Sequence, residues 1–307
     1  MSTPRSLTLP HGVRRITIET IRGEFAALEA LPSTGVCERQ PALLVPGYTG
    51  SKEDFAPILQ SLAASGRQVV AIDMRGQFES PGAPSADGYD FAALGADVAV
   101  IADWLGAGEG VHLLGHSLGG LVARETLLAR AAQVSSLTLM SSGPGALTGP
   151  RAVILTAVLG ELAGVNQEDL PTEVKRLWDT HLEPQAIADG TPPEIIDFVR
   201  TRMLRSCPLG LRTMAQNLLS CPDRTQALAE RDDVPMLVIY GEDDNAWAPA
   251  VQEEMATRLR AQRVCIPAAA HSPVIEAPET TASTLFSFWN TVECDRARSS
   301  VRPGGSR

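Results

Sequence analysis

The sequence predicts an α/β fold in which a mostly parallel β-sheet carries helices on both faces and a helical segment is inserted between two of the strands. Two observations support this prediction. Five short runs are almost continuously apolar and are bounded by Gly, Pro or polar residues, which is typical of strands covered on both faces. Segments with apolar residues three and four positions apart lie between most of these runs, and such alternation of strand and helix gives a parallel sheet.

The first predicted element is a hairpin at the edge of the sheet. Polar and apolar residues partly alternate from Arg14 to Ala30 around Gly23, as in two strands with one solvated side. The apolar runs that follow predict five strands, at Ala42–Val45, Gln68–Ile72, Val111–Leu114, Leu137–Met140 and Met236–Tyr240.

Four segments between or after these strands predict helices. The clearest has one apolar face, formed by Phe91, Leu94, Val98, Ile101 and Leu105. The other three segments are Ser51–Ala64, Leu118–Arg130 and Glu279–Val292.

The alternation of strand and helix stops after Ser142 and resumes at Val234. The segment between them predicts helices separated by prolines. We therefore expect a core of residues 1–143 and 233–293, a helical cap of residues 144–232, and a flexible polar tail of residues 294–307. Apolar residues near the start of the cap are expected to pack onto the sheet domain rather than onto a membrane, namely Val153, Leu155, Val158, Leu159 and Leu162.

The charge of the chain argues against several classes of partner. Its 307 residues include 36 acidic and 26 basic ones, so the net charge of −10 would repel phosphate backbones and anionic membranes. The longest apolar run, Ala152–Gly160, is far below the ~18 residues of a membrane span, and residues 1–15 lack the apolar stretch of a signal peptide. We expect a cytoplasmic protein with no nucleic-acid or membrane partner.

The cysteines predict neither disulfides nor a metal site. Five cysteines is an odd number, they are widely spaced, and no CxxC pair occurs among them. We expect free thiols, no metal and no cofactor. No sequence pattern indicates an oligomeric state.

The strongest chemical signal is the segment Val111–Gly120, in which an apolar strand runs into Gly115-His116-Ser117-Leu118-Gly119 and then into a helix. A serine between glycines at this junction is typical of a nucleophile elbow, in which a sharp turn exposes the hydroxyl. Side chains at positions 115 and 119 would collide in such a turn, so both residues are expected to be glycine for steric reasons.

With this motif the chain resembles the α/β-hydrolase family from about Ala42 to Trp289. A second matching segment, Leu44–Ser51, is similar to the oxyanion loop of the family. The resemblance implies that the backbone N–H groups of Tyr48 and Leu118 form the oxyanion hole. The family usually has His before the first glycine of this loop, and here that residue is Pro46.

A third matching segment, Asp73–Ser80, is similar to the Asp-x-Arg-Gly-x-Gly-x-Ser loop of the family, with Phe78 in place of the second glycine. We expect this segment to be structural, with Asp73 and Arg75 bracing the loop.

The resemblance also supplies the partners of Ser117. The strand Leu237–Tyr240 ends in Gly-x-x-Asp, which implies that Asp244 is the orienting acid, with Asp243 as the alternative. His271 precedes the last predicted helix and is the one histidine C-terminal to this acid. The family order of Ser, Asp and His is therefore met by Ser117, Asp244 and His271.

These residues predict a serine esterase that cleaves an ester-type bond in a small, largely apolar substrate. Hydrolysis of a C–C bond and cofactor-free perhydrolase or haloperoxidase-like chemistry can use the same three residues, and a non-catalytic receptor for small molecules is a further alternative. Candidate substrate contacts, chosen because caps and aromatic residues line pockets, are His116, Trp178, His181 and Trp247.

Overall fold

A computed structural model describes residues 2–300, with side chains described up to residue 298, and this part of the chain contains one eight-stranded sheet. The strands are β1 (Val13–Thr20), β2 (Gly23–Ala30), β3 (Ala42–Val45), β4 (Val69–Ile72), β5 (Val111–His116), β6 (Val134–Met140), β7 (Met236–Gly241) and β8 (Gln262–Ile266).

Twelve α-helices accompany the sheet within the same residues. Six belong to the sheet domain: α1 (Ala56–Ala63), α2 (Phe91–Gly106), α3 (Leu118–Leu128), α10 (Pro249–Leu259), α11 (Pro273–Glu276) and α12 (Pro278–Ser300). Six lie between β6 and β7: α4 (Gly149–Glu161), α5 (Leu170–Leu177), α6 (Glu183–Ala188), α7 (Pro193–Arg205), α8 (Pro208–Ser220) and α9 (Thr225–Ala229). A π-helical turn, Trp178–Leu182, joins α5 to α6.

The sheet has the strand order β1-β2-β4-β3-β5-β6-β7-β8, and every neighbouring pair from β4 to β8 is parallel. Strand β2 runs antiparallel to both β1 and β4. The predicted fold class and the predicted edge hairpin are confirmed. Since parallel strands end at the same edge, the loops after β3, β5 and β7 meet at one side of the sheet, where α/β proteins hold their ligands.

Both faces of the sheet are buried, which explains why its strands are continuously apolar. One face packs against α2, α3 and α10, with Val98, Val122 and Met255 in that core. The other face packs against α1 and α12, with Leu59 and Leu285 in that core.

The prolines between β6 and β7 begin helices rather than interrupt them. Pro171, Pro184, Pro193 and Pro208 each occupy one of the first two positions of a helix, where proline lacks only an N–H that the helix does not use.

The apolar stripe of α4 is partly as predicted. Leu155 and Leu162 are buried, and Val158 and Leu159 are half-buried. Val153, however, is 69% exposed, because two positions along a helix correspond to about 200° of rotation and place it opposite Leu155.

Two further features differ from the prediction. Strand β8 was not predicted. Only its last residue, Ile266, is buried, and its sequence begins with two polar residues, so it lacks the almost continuous apolar run of the other parallel strands. Residues 294–300, predicted as part of the flexible tail, instead continue α12. Residues 294–298 are exposed, and Arg296 Nη1 donates to Ser135 Oγ at 3.0 Å. Helix propagation needs no buried face once a packed helix precedes it. Residues 301–307 of that tail lie outside the described residues.

Within residues 2–300, no helix combines the length and the apolar character needed to cross a lipid bilayer.

Candidate active site

Ser117 lies on the turn between the central strand β5 and helix α3. Its backbone has φ 55° and ψ −122°, a conformation that costs an L-residue about 1–3 kcal/mol. The surrounding backbone holds this conformation, because Ser117 N–H donates to Met140 O at 2.9 Å and Ser142 Oγ donates to Ser117 O at 2.8 Å. The serine hydroxyl is thereby presented at the edge of the sheet where the strands end.

The two glycines of the motif are sterically required. A Cβ on Gly115 would lie 2.1 Å from Gly119 O, and a Cβ on Gly119 would lie 2.4 Å from the carbonyl oxygens of Val45 and Pro46. Both distances are far inside van der Waals contact and involve backbone atoms that cannot move aside. The turn can therefore form only with glycine at these positions, as the sequence pattern predicts.

The structure brings the three sequence candidates into one hydrogen-bonded chain. His271, on the loop before α11, has its Nε2 3.0 Å from Ser117 Oγ and its Nδ1 2.9 Å from Asp244 Oδ1. Asp244 lies on the loop after β7. All three side chains are buried, with Ser117 and His271 each 8% exposed and Asp244 5%. The imidazole thus lies between the hydroxyl and the carboxylate and is hydrogen-bonded to both.

Of the two neighbouring carboxylates, Asp244 is the one that contacts the histidine. Its Oδ1 also accepts the Ala246 N–H at 2.9 Å, and its Oδ2 accepts Gln252 Nε2 at 2.9 Å. Asp243 is exposed. The fixed orientation of the Asp244 carboxylate leaves Oδ1 facing the imidazole.

The pKa shifts of Asp244 and His271 indicate their protonation states. Burial raises the pKa of Asp244, but the hydrogen bond and charge of His271, together with the other two donors, hold it below the usual 3.8. Burial lowers the pKa of His271 below the usual 6.5, Asp244 opposes this effect, and the guanidinium of Arg151 reinforces it. At neutral pH Asp244 is therefore ionised and His271 is neutral, ready to accept a proton.

Two backbone N–H groups near Ser117 are available to an incoming ligand. Among residues 2–300, neither Tyr48 N–H nor Leu118 N–H has a hydrogen-bond acceptor. Leu118 begins α3, where the helix dipole also favours negative charge. The Tyr48 loop passes close to the serine, since a Cβ on Gly47 would lie 3.1 Å from Ser117 Cβ. Both groups can therefore donate to an oxygen anion formed beside Ser117.

The replacement of His by Pro46 leaves this loop intact. Gly47 O accepts the Gly50 N–H at 3.1 Å and Gln77 Nε2 at 2.8 Å. The segment after β4 thus supports the loop through Gln77, while Arg75 pairs with Asp97 on α2 rather than with Asp73.

His116 lies beneath the site and supports the backbone of His271. It is 2% exposed, and its Nε2 donates to His271 O at 2.7 Å, so it fixes the backbone that carries the imidazole. Burial lowers the pKa of His116 to about 4, which keeps the ring neutral. Its predicted contact with substrate stays a prediction.

Of the other three candidates, the structure buries the two tryptophans and exposes His181, and a substrate contact by any of them stays a prediction. Trp178 is completely buried and packs with Ile195 and Val199 inside the inserted segment. Trp247 is 1% exposed and its indole fills the space against Gly143, where a Cβ would lie 2.1 Å from the ring. His181 is exposed and its Nε2 lies 3.1 Å from Glu161 Oε1. The two tryptophans were selected as aromatic residues, but size and apolarity suit a core equally well.

Three supporting residues were missed in the sequence. Gln252 orients Asp244, Ser142 holds the Ser117 turn, and Gln77 holds the Tyr48 loop. Ser142 and Gln77 act from elements distant in sequence, Gln252 lies eight positions after Asp244, and no spacing pattern marks any of the three. A fourth, Arg151 at the start of α4, donates from Nε to Asn245 Oδ1 at 2.6 Å, beside the acid.

The parallel sheet, the strained serine turn and the buried histidine and aspartate together define a hydrolase of the α/β fold. Residues 42–284 match the sequence profile of the alpha/beta hydrolase family, and the chain belongs to this family.

Known proteins similar to this chain include some that are named as esterases and lipases. The pimeloyl-[acyl-carrier protein] methyl ester esterase of Neisseria meningitidis serogroup A is 28% identical over 253 residues, which cover 80% of this chain and 75% of that protein. Lipase 1 of Psychrobacter immobilis is 23% identical over 84% of this chain and 79% of its own. Among solved structures, a thermophilic esterase from Thermogutta terrifontis has a TM-score of 0.69 and 24% identity, covering 91% of this chain and 99% of that one.

Proposed function

We propose that this protein is a serine esterase in which Ser117 is the nucleophile, His271 the general base and Asp244 the orienting acid. One observation carries the proposal: a continuous chain of hydrogen bonds from Asp244 through His271 to a serine held at φ 55°. Two N–H groups that have no acceptor among residues 2–300 lie beside that serine. Two of the similar proteins are named as a methyl ester esterase and a lipase, which supports ester hydrolysis.

In the first half of the reaction, Ser117 Oγ attacks the ester carbonyl carbon while His271 Nε2 takes the hydroxyl proton. The carbonyl oxygen becomes an anion and accepts hydrogen bonds from the Tyr48 and Leu118 N–H groups. When the tetrahedral intermediate collapses, the C–O bond to the leaving alcohol breaks, and His271 returns the proton to the alcohol oxygen. An acyl-enzyme remains on Ser117.

In the second half, water attacks the acyl carbonyl and gives its proton to His271. The second tetrahedral intermediate expels Ser117 Oγ, which recovers its proton from His271, and the carboxylic acid leaves. Asp244 stays ionised throughout and stabilises the imidazolium that forms in each half.

We further propose that residues 144–232 act as a cap over a core of residues 1–143 and 233–293. The first residue of the cap and the residue after α8 are both fixed to the nucleophile helix, because Arg124 on α3 donates to Pro144 O at 2.6 Å and to Cys221 Sγ at 3.1 Å. Ala146 N–H joins these two parts of the cap directly by donating to Cys221 O at 2.7 Å. Ser117 is only 8% exposed, and we propose a small, largely apolar substrate. A series of esters of increasing acyl chain length tests both its size and its apolar character.

The test is a panel of p-nitrophenyl esters from acetate to long acyl chains, combined with fluorophosphonate labelling located by mass spectrometry. We expect turnover that depends on chain length and a label on Ser117. Ser117→Ala is expected to lose both the label and turnover while it keeps the fold.

Ser141→Ala is the matched control. Ser141 is also buried and has a positive φ of 47°, and its hydroxyl has no hydrogen-bond partner among the described residues, so its loss is expected to leave activity unchanged. Turnover by Ser117→Ala would overturn the assignment of the nucleophile. A label on Ser117 without ester turnover would exclude an esterase and favour C–C hydrolysis, perhydrolysis or a receptor.

A further inference from the structure

The corner between α7 and α8 binds both loops that flank the nucleophile. We define this corner as residues 198–211. Tyr48 Oη donates to Leu211 O at 2.9 Å, which ties the residue that offers an oxyanion N–H to the start of α8. Cys207 N–H donates to Gly76 O at 2.7 Å, on the segment that also carries Gln77. The corner is therefore a direct contact between the inserted helices and the machinery of the site.

A buried ion pair forms the strongest part of this contact. Arg202 on α7 has its Nη1 2.8 Å from Asp54 Oδ1, and the side chains are 1% and 0% exposed. The same nitrogen lies 3.4 Å from Ser51 Oγ. Removing one partner of a buried pair leaves an unpaired charge and is strongly unfavourable, so the pair constrains the position of α7 relative to Asp54.

Asp54 in turn shapes the loop that carries Tyr48. Its Oδ2 accepts the Ser51 N–H at 3.4 Å, and its own N–H donates to Ser51 O at 3.0 Å. The carboxylate lies against the tight turn before it, since a Cβ on Gly50 would be 2.4 Å from Asp54 Oδ2. That turn is closed by the Gly50 N–H bond to Gly47 O, so a shift of Asp54 would move the Tyr48 amide.

The second loop depends on the corner as well. Phe78 stands where the family pattern has glycine, and its φ of 40° lies in the left-handed region that disfavours a side chain. Ser206 Oγ accepts the Phe78 N–H at 3.0 Å, and the Phe78 ring packs edge to face on Phe198 with centroids 5.7 Å apart. Contacts from the inserted helices thus stabilise Phe78 in this left-handed conformation, where the family pattern has glycine.

We propose that Arg202 is a positioning residue, which acts through Asp54 to position the Tyr48 N–H in the oxyanion hole. The position of α7 relative to Asp54 then determines how well the oxyanion hole stabilises the transition state. This inference rests on the proposed esterase function and goes beyond it by making the inserted helices part of the oxyanion-hole support. Arg202 touches no reacting atom in this scheme. Its effect is on kcat rather than on the affinity for the ester.

The experiment compares Arg202→Met with the wild type in p-nitrophenyl butyrate hydrolysis and in inhibition by an alkyl trifluoromethyl ketone. The ketone forms an oxyanion when Ser117 attacks it, so its inhibition constant reports on the hole. Loss of one oxyanion donor costs about 10²–10³-fold, and a misplaced donor is expected to cost at least about 10-fold in kcat, with KM changed less than about threefold. The ketone inhibition constant is expected to rise by a similar factor. Arg202→Lys keeps the charge and is expected to restore part of kcat.

Arg67→Met is the matched control, because Arg67 is 0% exposed and its Nη1 lies 2.8 Å from Glu293 Oε1, outside the site. It is expected to lower thermal stability and leave kcat and ketone inhibition unchanged. If Arg202→Met does not fold, Tyr48→Phe removes only the hydroxyl bond to Leu211 and is expected to lower kcat and ketone affinity together.

Unchanged kcat in a folded Arg202→Met, or a lower kcat with unchanged ketone affinity, would overturn the inference. So would unchanged kinetics in Tyr48→Phe, or an equal loss of kcat in Arg67→Met. A wild type that neither hydrolyses the ester nor binds the ketone would refute the proposed function instead.

Discussion

Mild acid is expected to destabilise this protein through His112, a completely buried residue of β5 that faces α12. Its Nδ1 lies 2.7 Å from Ser136 Oγ and its Nε2 3.0 Å from Glu293 Oε1, and its ring stacks on Trp289 with centroids 5.4 Å apart. The Glu293 carboxylate accepts a hydrogen bond, and the Ser136 hydroxyl can donate one. A neutral ring protonated on Nε2 therefore satisfies both partners.

The size of this loss of stability follows from the pKa of His112. Burial lowers the pKa of His112 from the usual 6.5 to about 4, so the unfolded chain binds a proton between these pH values that the folded protein does not. Stability is then fully present above pH 6.5 and is lost as the pH falls to about 4. Each pKa unit corresponds to about 1.4 kcal/mol, so His112 contributes a loss of about 3 kcal/mol.

The assay is urea unfolding of the wild type and of His112→Asn, in half-unit steps of pH from 7 down to 4. Asparagine has no ionisable side chain, so the variant loses the titrating group at position 112. Its smaller size adds a packing penalty that does not depend on pH. We expect the free energy of unfolding to fall by about 3 kcal/mol less in the variant across this range.

The comparison isolates His112, because His116, whose pKa is also lowered to about 4 by burial, is present in both proteins. Parallel dependence of the two unfolding free energies on pH would refute the argument. It would mean that His112 is charged in the folded protein.

The remaining predictions concern the site. Asp244→Asn is expected to reduce kcat by about 10⁴-fold while Asp243→Asn stays near wild type, and steady-state kinetics showing the reverse ranking would exchange their roles. Arg151→Gln removes a charge that lowers the pKa of His271, so the acid limb of kcat/KM is expected to move to higher pH; an unmoved limb would exclude that coupling. Gly119→Ala places a Cβ 2.4 Å from two carbonyl oxygens and is expected to cost at least about 3 kcal/mol, which a thermal midpoint equal to the wild type would disprove.

The sequence by itself determined the elements whose signal is local. Continuous apolar runs identify β3, β4, β5 and β7 because both faces of the sheet are covered, and the glycine-flanked Ser117 identifies the turn because only glycine fits around it. The order of Ser117, Asp244 and His271 along the chain, with the resemblance to a family, was sufficient to select three residues that the fold places in one hydrogen-bonded chain.

Only the tertiary structure decided which groups contact one another across distant parts of the chain. Asp244 and Asp243 are adjacent in sequence, and the choice between them depends on which carboxylate faces His271 when β7 and the loop after β8 are brought together. The burial of Trp178 and Trp247 follows from packing, which an aromatic residue type does not specify. The Arg202–Asp54 pair joins residues 148 positions apart, and no local pattern encodes a contact of that kind because its partners meet only after the sheet and the inserted helices have assembled.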